Sequence, residues 1–273
     1  MKLAIYAFLA LTLSLVGCNA STPSKPDTPL TQTEKTLVKQ LTQTGRELYK
    51  KDSRASFASD LVQAQMDVSL YPNFVGWITH PNNEDYTVSF YQRTRGVGQE
   101  DDSYEVFADV VFDKDMAAKL YPEPKRTLGE LELAMLKARI TALTANIDRC
   151  NQPYNTVVLP DAANGQLHVY LLAASAQYGV MQVGGHHKVT VNIASGEITQ
   201  VTPFSKSCFA LNLTDSSRPK DSKLSMVVVS HIVSDYPAEI HPYLNLLHDL
   251  SIAISTKSGM WVAENGELRL MER

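Results

Sequence analysis

The chain has 273 residues, 44% of them hydrophobic and 20% charged, with 25 Lys and Arg against 29 Asp and Glu. This length and balance suit one large globular domain or two small ones, and they exclude pervasive disorder, a collagen-like repeat and a polytopic membrane protein. A formal net charge of -4 supplies no basic face or tail, so no nucleic-acid partner is expected.

In chain order, Met1 to Gly17 comes first and sets one cation, Lys2, before an apolar run from Leu3 to Val16. The run is too short to span a bilayer comfortably and has the order of a secretory signal, so it stands outside the fold. It ends in Leu15-Val16-Gly17-Cys18, which resembles the lipobox of bacterial lipoproteins residue for residue. The resemblance covers this leader alone. It implies that residues 1–17 are a signal peptide and that Cys18 is acylated, with palmitate among its chains, as the mature N-terminus. Asn19 stands where an aspartate would signal retention in the inner membrane, so the resemblance also implies an outer-membrane lipid anchor facing the periplasm. Several acyl chains, at ~0.8 kcal/mol per buried methylene, make such an anchor effectively permanent. The leader's sole charged side chain is Lys2, so the remaining body stays acidic and is not drawn to anionic lipid by charge.

Residues 18–30 are rich in Pro, Ser and Thr and read as an extended tether behind the lipidated cysteine. From Thr31 to about Lys51, Leu37, Leu41 and Leu48 fall on one face of an amphipathic helix, with Thr31 or Thr33 and nearby Glu34 at its start. A second helix is expected from Arg54 to about Val68 through Phe57, Leu61, Ala64 and Val68, stopped by Tyr71-Pro72-Asn73. The period then changes to two. Phe74–Ile78, Tyr86–Tyr91 and Tyr104–Phe112 read as antiparallel strands, separated by turns at Asn82-Asn83 and Gly96-Val97-Gly98. Thr127 to about Asp148 is the strongest helical pattern, with Glu130 three residues after a candidate Thr127 cap. Strands are expected at Asn155–Pro160, Leu167–Ala174, Lys188–Ile193, Glu197–Val201, Cys208–Leu213 and Leu224–Ile232, with a hairpin turn at Ala194-Ser195-Gly196. Leu250–Thr256, Met260–Ala263 and Leu268–Met271 follow, the last two joined through Asn265-Gly266. The order predicts an α+β body over residues 31–273: antiparallel sheets with N-terminal helices and one central helix packed on one face, and a possible sub-boundary near residue 151.

With Cys18 acylated by resemblance, Cys150 and Cys208 remain as a pair in an oxidising periplasm and are expected to form a structural disulfide. Closing that loop is worth roughly 4 kcal/mol in the chain-entropy model. Two polar clusters invite chemistry. Gly184-Gly185-His186-His187 sets two imidazoles after two glycines, but neighbours in a strand point to opposite faces, which favours a glycine turn opening a strand. The second runs through His231, Asp235, Glu239, His241, His248 and Asp249. A helix over Tyr243–Leu250 would place His241 and His248 two turns apart, with Glu239 as a conceivable base. Neither cluster has His-Glu-x-x-His spacing. Ser205-Lys206-Ser207-Cys208 lacks Ser-x-x-Lys spacing, and no Gly-x-Ser-x-Gly elbow occurs. Among Tyr71, Phe74, Trp77, Tyr86, Phe90 and Tyr91, most are expected in the core, while alternate members could present an aromatic surface to a peptide, a glycan or another protein.

Two readings follow. The preferred one is a non-enzymatic, outer-membrane-anchored lipoprotein without a cofactor that binds an envelope protein or glycan, or supports envelope assembly. The alternative is a zinc-dependent periplasmic hydrolase drawing on His186, His187, His231, His241, His248 and Glu239, which requires at least three such groups to converge.

Overall fold

The structure is a computed structural model that describes residues 29–94, 103–150, 153–175, 177–214 and 224–271. The leader, Cys18, most of the tether and the Gly96-Val97-Gly98 turn lie outside the described residues.

One helix, α1 (Gln32–Gln65), opens the body. Thr31 and Glu34 form the expected capping box: the Glu34 N–H donates to Thr31 Oγ1 at 3.3 Å, and Glu34 Oε2 accepts from the Thr31 N–H at 2.7 Å. The sequence suggested two helices broken near Asp52, and the structure joins them. Asp52 carries no backbone constraint, and its carboxylate accepts from Tyr243 Oη at 2.8 Å and from Asn155 Nδ2 at 3.1 Å. A polar contact, not a turn, interrupts the apolar spacing. Helix α1 ends at Gln65, so Val68 falls instead in a short 3-10 turn, Val68–Leu70, capped by Asp67.

The first sheet is an antiparallel meander of β1 (Phe74–Pro81), β2 (Tyr86–Arg93), β3 (Tyr104–Phe112) and β4 (Ala118–Pro122). The sequence reading missed β4, a five-residue edge strand whose side chains are exposed or half-exposed, with Ala118 and Leu120 alone packing on the core. Small residues of α1, Ala55 and Ala58, with Val62, close onto Val88, Phe90 and Phe107 of one sheet face. Helix α2 (Glu130–Leu143) covers the other face through Met135, Leu136 and Ala142 against Ile78 and Tyr91. Its cap is Gly129, two residues later than expected, because Glu132 and not Glu130 reaches back, accepting the Gly129 N–H at 3.1 Å.

A second antiparallel sheet holds β5 (Tyr154–Asp161), β6 (Gln166–Ala173), β8 (His187–Asn192) and β9 (Ile198–Pro203). Strand β7 (Val180–Gln182), too short to read from sequence, pairs with β10 (Ala210–Asn212) as a separate ribbon. The third sheet runs β11 (Met226–Ser230), β12 (Ser251–Thr256), β13 (Gly259–Glu264) and β14 (Glu267–Leu270), with β11 and β12 parallel across α3 (Ile240–His248). At the β13–β14 turn, Asn265 and Gly266 both take positive φ, 52° and 73°, the left-handed pair that Asn-Gly favours in a tight hairpin. The body is therefore α+β with sheets dominated by antiparallel pairing.

Three apolar clusters form the core, and the one beneath α2 draws on residues before and after position 151, from Ile78 and Met135 to Leu167 and Val189. The middle of α1 ties these regions together with polar side chains. Lys51 Nζ donates to the Thr79 carbonyl of β1 and the Val158 carbonyl of β5, each at 3.2 Å, bridging the facing edge strands of two sheets. Arg54 pairs with Asp85 at 2.6 Å in the β1–β2 turn. Cys150 and Cys208 form the expected disulfide. Cys150 lies seven residues past α2, and Cys208 precedes β10, so the bond joins two loops. Among the described residues, no helix is long and apolar enough to cross a membrane.

Candidate functional site

The histidines singled out by sequence are dispersed. His186, 1% exposed, accepts from the Ala173 N–H at Nδ1 (3.1 Å) and donates from Nε2 to the Gln182 carbonyl (2.9 Å), so both nitrogens are engaged. Burial pushes its pKa down to about 4. His187 faces the opposite side of β8 and donates from Nδ1 to the Gly185 carbonyl at 2.9 Å. His231 donates from Nε2 to Ser234 Oγ at 2.8 Å, since that hydroxyl gives its own proton to the Tyr236 carbonyl. His241 accepts the Ala238 N–H at Nδ1 (2.9 Å), and the Ala238 carbonyl is already taken by the His241 backbone N–H. Burial first, then the neighbouring His231, drives its pKa down to about 3.

Glu239 Oε1 accepts from Tyr170 Oη and Lys188 Nζ, both at 2.9 Å. Asp235 meets Lys257 at 3.3 Å on the surface, Asp249 is the left-handed C-cap of α3, and His248 sits half-buried in the last turn of that helix. Only His231 and His241 pack ring against ring, 4.8 Å between centroids. Among the described residues no group of three or more His, Cys, Asp or Glu side chains is placed to hold a metal ion. Of the zinc set His186, His231, His241, His248 and Glu239, only His231 and His241 are in ring contact, and most polar atoms of the set bond backbone or neighbouring side chains. Ser205 is a loop staple, accepting from the Gly185 N–H and donating to the Ser207 carbonyl, each at 2.8 Å.

The densest polar constellation escaped the sequence reading. Arg126, in the connection between β4 and α2, forks onto two carboxylates. Its Nε and Nη2 donate to Asp109 at 2.7 and 3.0 Å, and its Nη1 and Nη2 to Glu132 at 2.8 and 2.7 Å. Nη2 also reaches Ser89 Oγ at 2.9 Å, and Tyr91 Oη donates to Glu132 at 2.6 Å. Burial raises the Glu132 pKa, but Arg126, Tyr91 and the Gly129 N–H together outweigh it and hold the carboxyl below its usual range.

Ser89, Asp109 and His80 have the composition of a hydrolytic triad without its geometry. Ser89 is 0% exposed; its hydroxyl donates to Asp109 at 2.5 Å, and its Oγ lies 2.9 Å from His80 Nε2 and accepts from Arg126 Nη2 at 2.9 Å. The hydroxyl is thus buried and shared among three side chains instead of opening to a substrate. His80 and Glu132 also line a cleft of about 800 Å³ between α1, α2 and β5, shared with Glu47, Lys51 and Tyr86. There Tyr86 Oη donates to Glu47 at 2.7 Å, so this wall too is bonded internally.

An aromatic pocket of about 280 Å³ has the opposite character. It opens between the end of α1, the 3-10 turn and the first sheet, with Val62, Tyr71, Phe74, Trp77, Phe90 and Phe107 on its walls. Tyr71 stacks on Phe107 with centroids 4.2 Å apart, and Phe74 meets Phe107 edge to face at 5.9 Å. Phe74 and Val68 are each 47% exposed at the rim, and Leu70 beside them is 69% exposed. Of the aromatic residues flagged by sequence, Phe90 and Tyr91 are core and Tyr86 is hydrogen-bonded, whereas Tyr71, Phe74 and Trp77 reach the pocket; Phe107 was not anticipated.

Comparison with protein-family models, with curated proteins and with solved structures finds no match to this chain.

Proposed function

We propose that this chain is a lipid-anchored protein of the bacterial outer membrane, facing the periplasm, whose body binds another envelope component and does not catalyse a reaction. The anchor rests on Leu15-Val16-Gly17-Cys18 and the Pro-rich tether. The observation that carries the binding reading is a contrast. The acid, base and hydroxyl groups that could do chemistry at Ser89, Asp109, Glu132, His186 and Glu239 are tied to neighbouring side chains or to backbone, while the aromatic pocket stands open with half-exposed Phe74 and Val68 at its rim. Apolar surface of that kind, kept on a protein surface, is what partner sites use.

Two measurements in the producing cell test this. Metabolic labelling with an alkyne fatty acid should mark the wild-type chain in the outer-membrane fraction, and Cys18→Ser should abolish the label; a label unaffected by the substitution sinks the anchor. A photo-reactive phenylalanine analogue at position 74 should trap a discrete envelope adduct that is absent when the analogue replaces exposed Tyr178. Equal trapping at both positions, or none at 74, sinks the binding role.

A further inference from the structure

We infer that the aromatic pocket receives the apolar side chain of a basic polypeptide segment. This deepens the binding reading above and rests on it. The pocket exists because of how α1 ends. Up to Val62 the helix closes the sheet face with small residues, but the helix stops at Gln65 and Asp67 turns the chain outward into Val68–Leu70. The last turn therefore leaves a gap above buried Phe90 and Phe107, with Phe74 and Val68 half-exposed around it. About 280 Å³ accommodates one or two large side chains, the usual size of an interface anchor in its pocket.

Charge selects among apolar occupants. The lining residues carry no cationic side chain; Arg139, 5.0 Å from the centre of the Trp77 ring, is buried with its guanidinium bonded to Thr156 and the Val75 carbonyl. Glu123 accepts the Tyr71 hydroxyl at 2.9 Å, and Asp67 caps the turn that carries Val68. Glu105, exposed and bonded to Gln92, sits on β3 across from that residue, which in turn pairs with Phe74, and burial first, then Glu123 and the charge of Glu105, raise the pKa of Tyr71. Three carboxylates around an apolar opening repel anionic lipid headgroups and favour an apolar residue flanked by Lys or Arg. Their exposure makes this a matter of selectivity and encounter rate more than of affinity.

The test uses the full-length acylated chain in neutral phosphatidylcholine nanodiscs and short fluorescein-labelled peptides. One peptide carries a Leu-Phe anchor between lysines, its twin carries the same anchor between glutamates, and a third replaces the anchor by alanines between lysines. The lysine-flanked anchor should bind about tenfold tighter than its glutamate twin, with the gap closing at high salt. The alanine peptide should not bind. Phe74→Ser and Val68→Ser should each weaken the first peptide about tenfold, with unchanged circular dichroism, because both side chains are half outside the fold. Glu123→Gln should narrow the gap between the twins without removing binding. Equal binding of the twins, binding of the alanine peptide, or wild-type binding by both pocket variants overturns the inference. So does competition for the pocket by dispersed anionic phospholipid in place of peptide. A protein adduct trapped at position 74 together with failure of all three peptides overturns this inference alone; no adduct and no peptide binding removes the binding role as well.

Discussion

Lys51→Met isolates the energetic role of a buried ammonium. Lys51 Nζ lies between the edges of two sheets, bonded to the Thr79 and Val158 carbonyls, with its side chain 3% exposed. Burial lowers its pKa from 10.5 to about 8, partly offset by Glu47. A drop of that size means the native state pays about 3 kcal/mol to keep this group charged at neutral pH. Between the two values the folded protein has released the proton and the unfolded chain still holds it, so stability rises with pH. The gain works out at about 1.4 kcal/mol by pH 9 and about 2.5 kcal/mol by pH 10. Methionine fills similar space, removes the titration and strands two carbonyls at about 1–3 kcal/mol each, so the two proteins differ modestly near pH 7. Urea unfolding at a series of pH values, followed by fluorescence with the disulfide intact, should show the wild type gaining about 2.5 kcal/mol on the variant between about pH 7 and pH 10. Parallel pH profiles for the two proteins would refute the lowered pKa of the buried ammonium.

Three further outcomes follow from the same geometry. His186 and His241, held neutral with pKa values of about 4 and about 3, bind protons in the unfolded chain first; stability should therefore fall as pH drops below about 6.5, by roughly 2 kcal/mol for each by pH 5. Lowered pKa values of His80, His187, His231 and His248 add to this loss and the raised Asp52 opposes it, so the check is His241→Gln, which should remove roughly 2 kcal/mol of the acid loss; an unchanged acid slope refutes the assignment. Arg126→Gln strands Asp109 and Glu132, each with a side chain 10% exposed, and should cost about 3 kcal/mol in chemical denaturation, the low end for such a pair because Arg126 is itself 30% exposed; a cost below about 0.5 kcal/mol, the range of an ordinary surface change, would contradict the network. Gly185 has φ +89°, and an added Cβ would lie 2.1 Å from Cys150 Sγ. Gly185→Ala should therefore impair closure of the Cys150–Cys208 bond, whose 58-residue span is worth about 4 kcal/mol, and thiol titration of the variant refolded under oxidising conditions should reveal free cysteine; fully oxidised variant protein would refute the steric argument.

How much of this was legible depended on whether one period governed a segment. Val88 and Phe90 alternate with Thr87 and Ser89 in a strand paired on both sides, and β2 was found where alternation placed it. Helix α1 was read as two because its middle serves several partners at once: Lys51 faces two sheets, Asp52 faces α3 and β5, and Arg54 faces the β1–β2 turn. A helix buried by polar contacts on several sides shows no single apolar stripe there. The site was missed for a related reason. Consecutive His186 and His187 drew attention, but adjacency in a strand sends side chains apart, whereas His80, Ser89, Asp109, Arg126 and Glu132 meet from three strands, a connection and a helix. Each is unremarkable alone, and sequence spacing carries no trace of their convergence.

The continuity of α1 also bears on how the proposed anchor and the pocket are arranged. The tether enters the body at Thr31, and Val62 on the pocket wall lies 31 residues further along one unbroken helix, a distance of about 46 Å at 1.5 Å per residue. Two antiparallel helices with a reversal near Asp52 would instead have carried Val62 back toward Thr31. A single helix separates them by nearly its whole length. The side chains that keep the helix continuous, Lys51, Asp52 and Arg54, are the same ones that join the sheets to it, so the separation is fixed by the core and not by a flexible connection. With the proposed acyl anchor attached ahead of Thr31, the proposed polypeptide-binding pocket sits near the far end of α1 from the point where the chain enters the body.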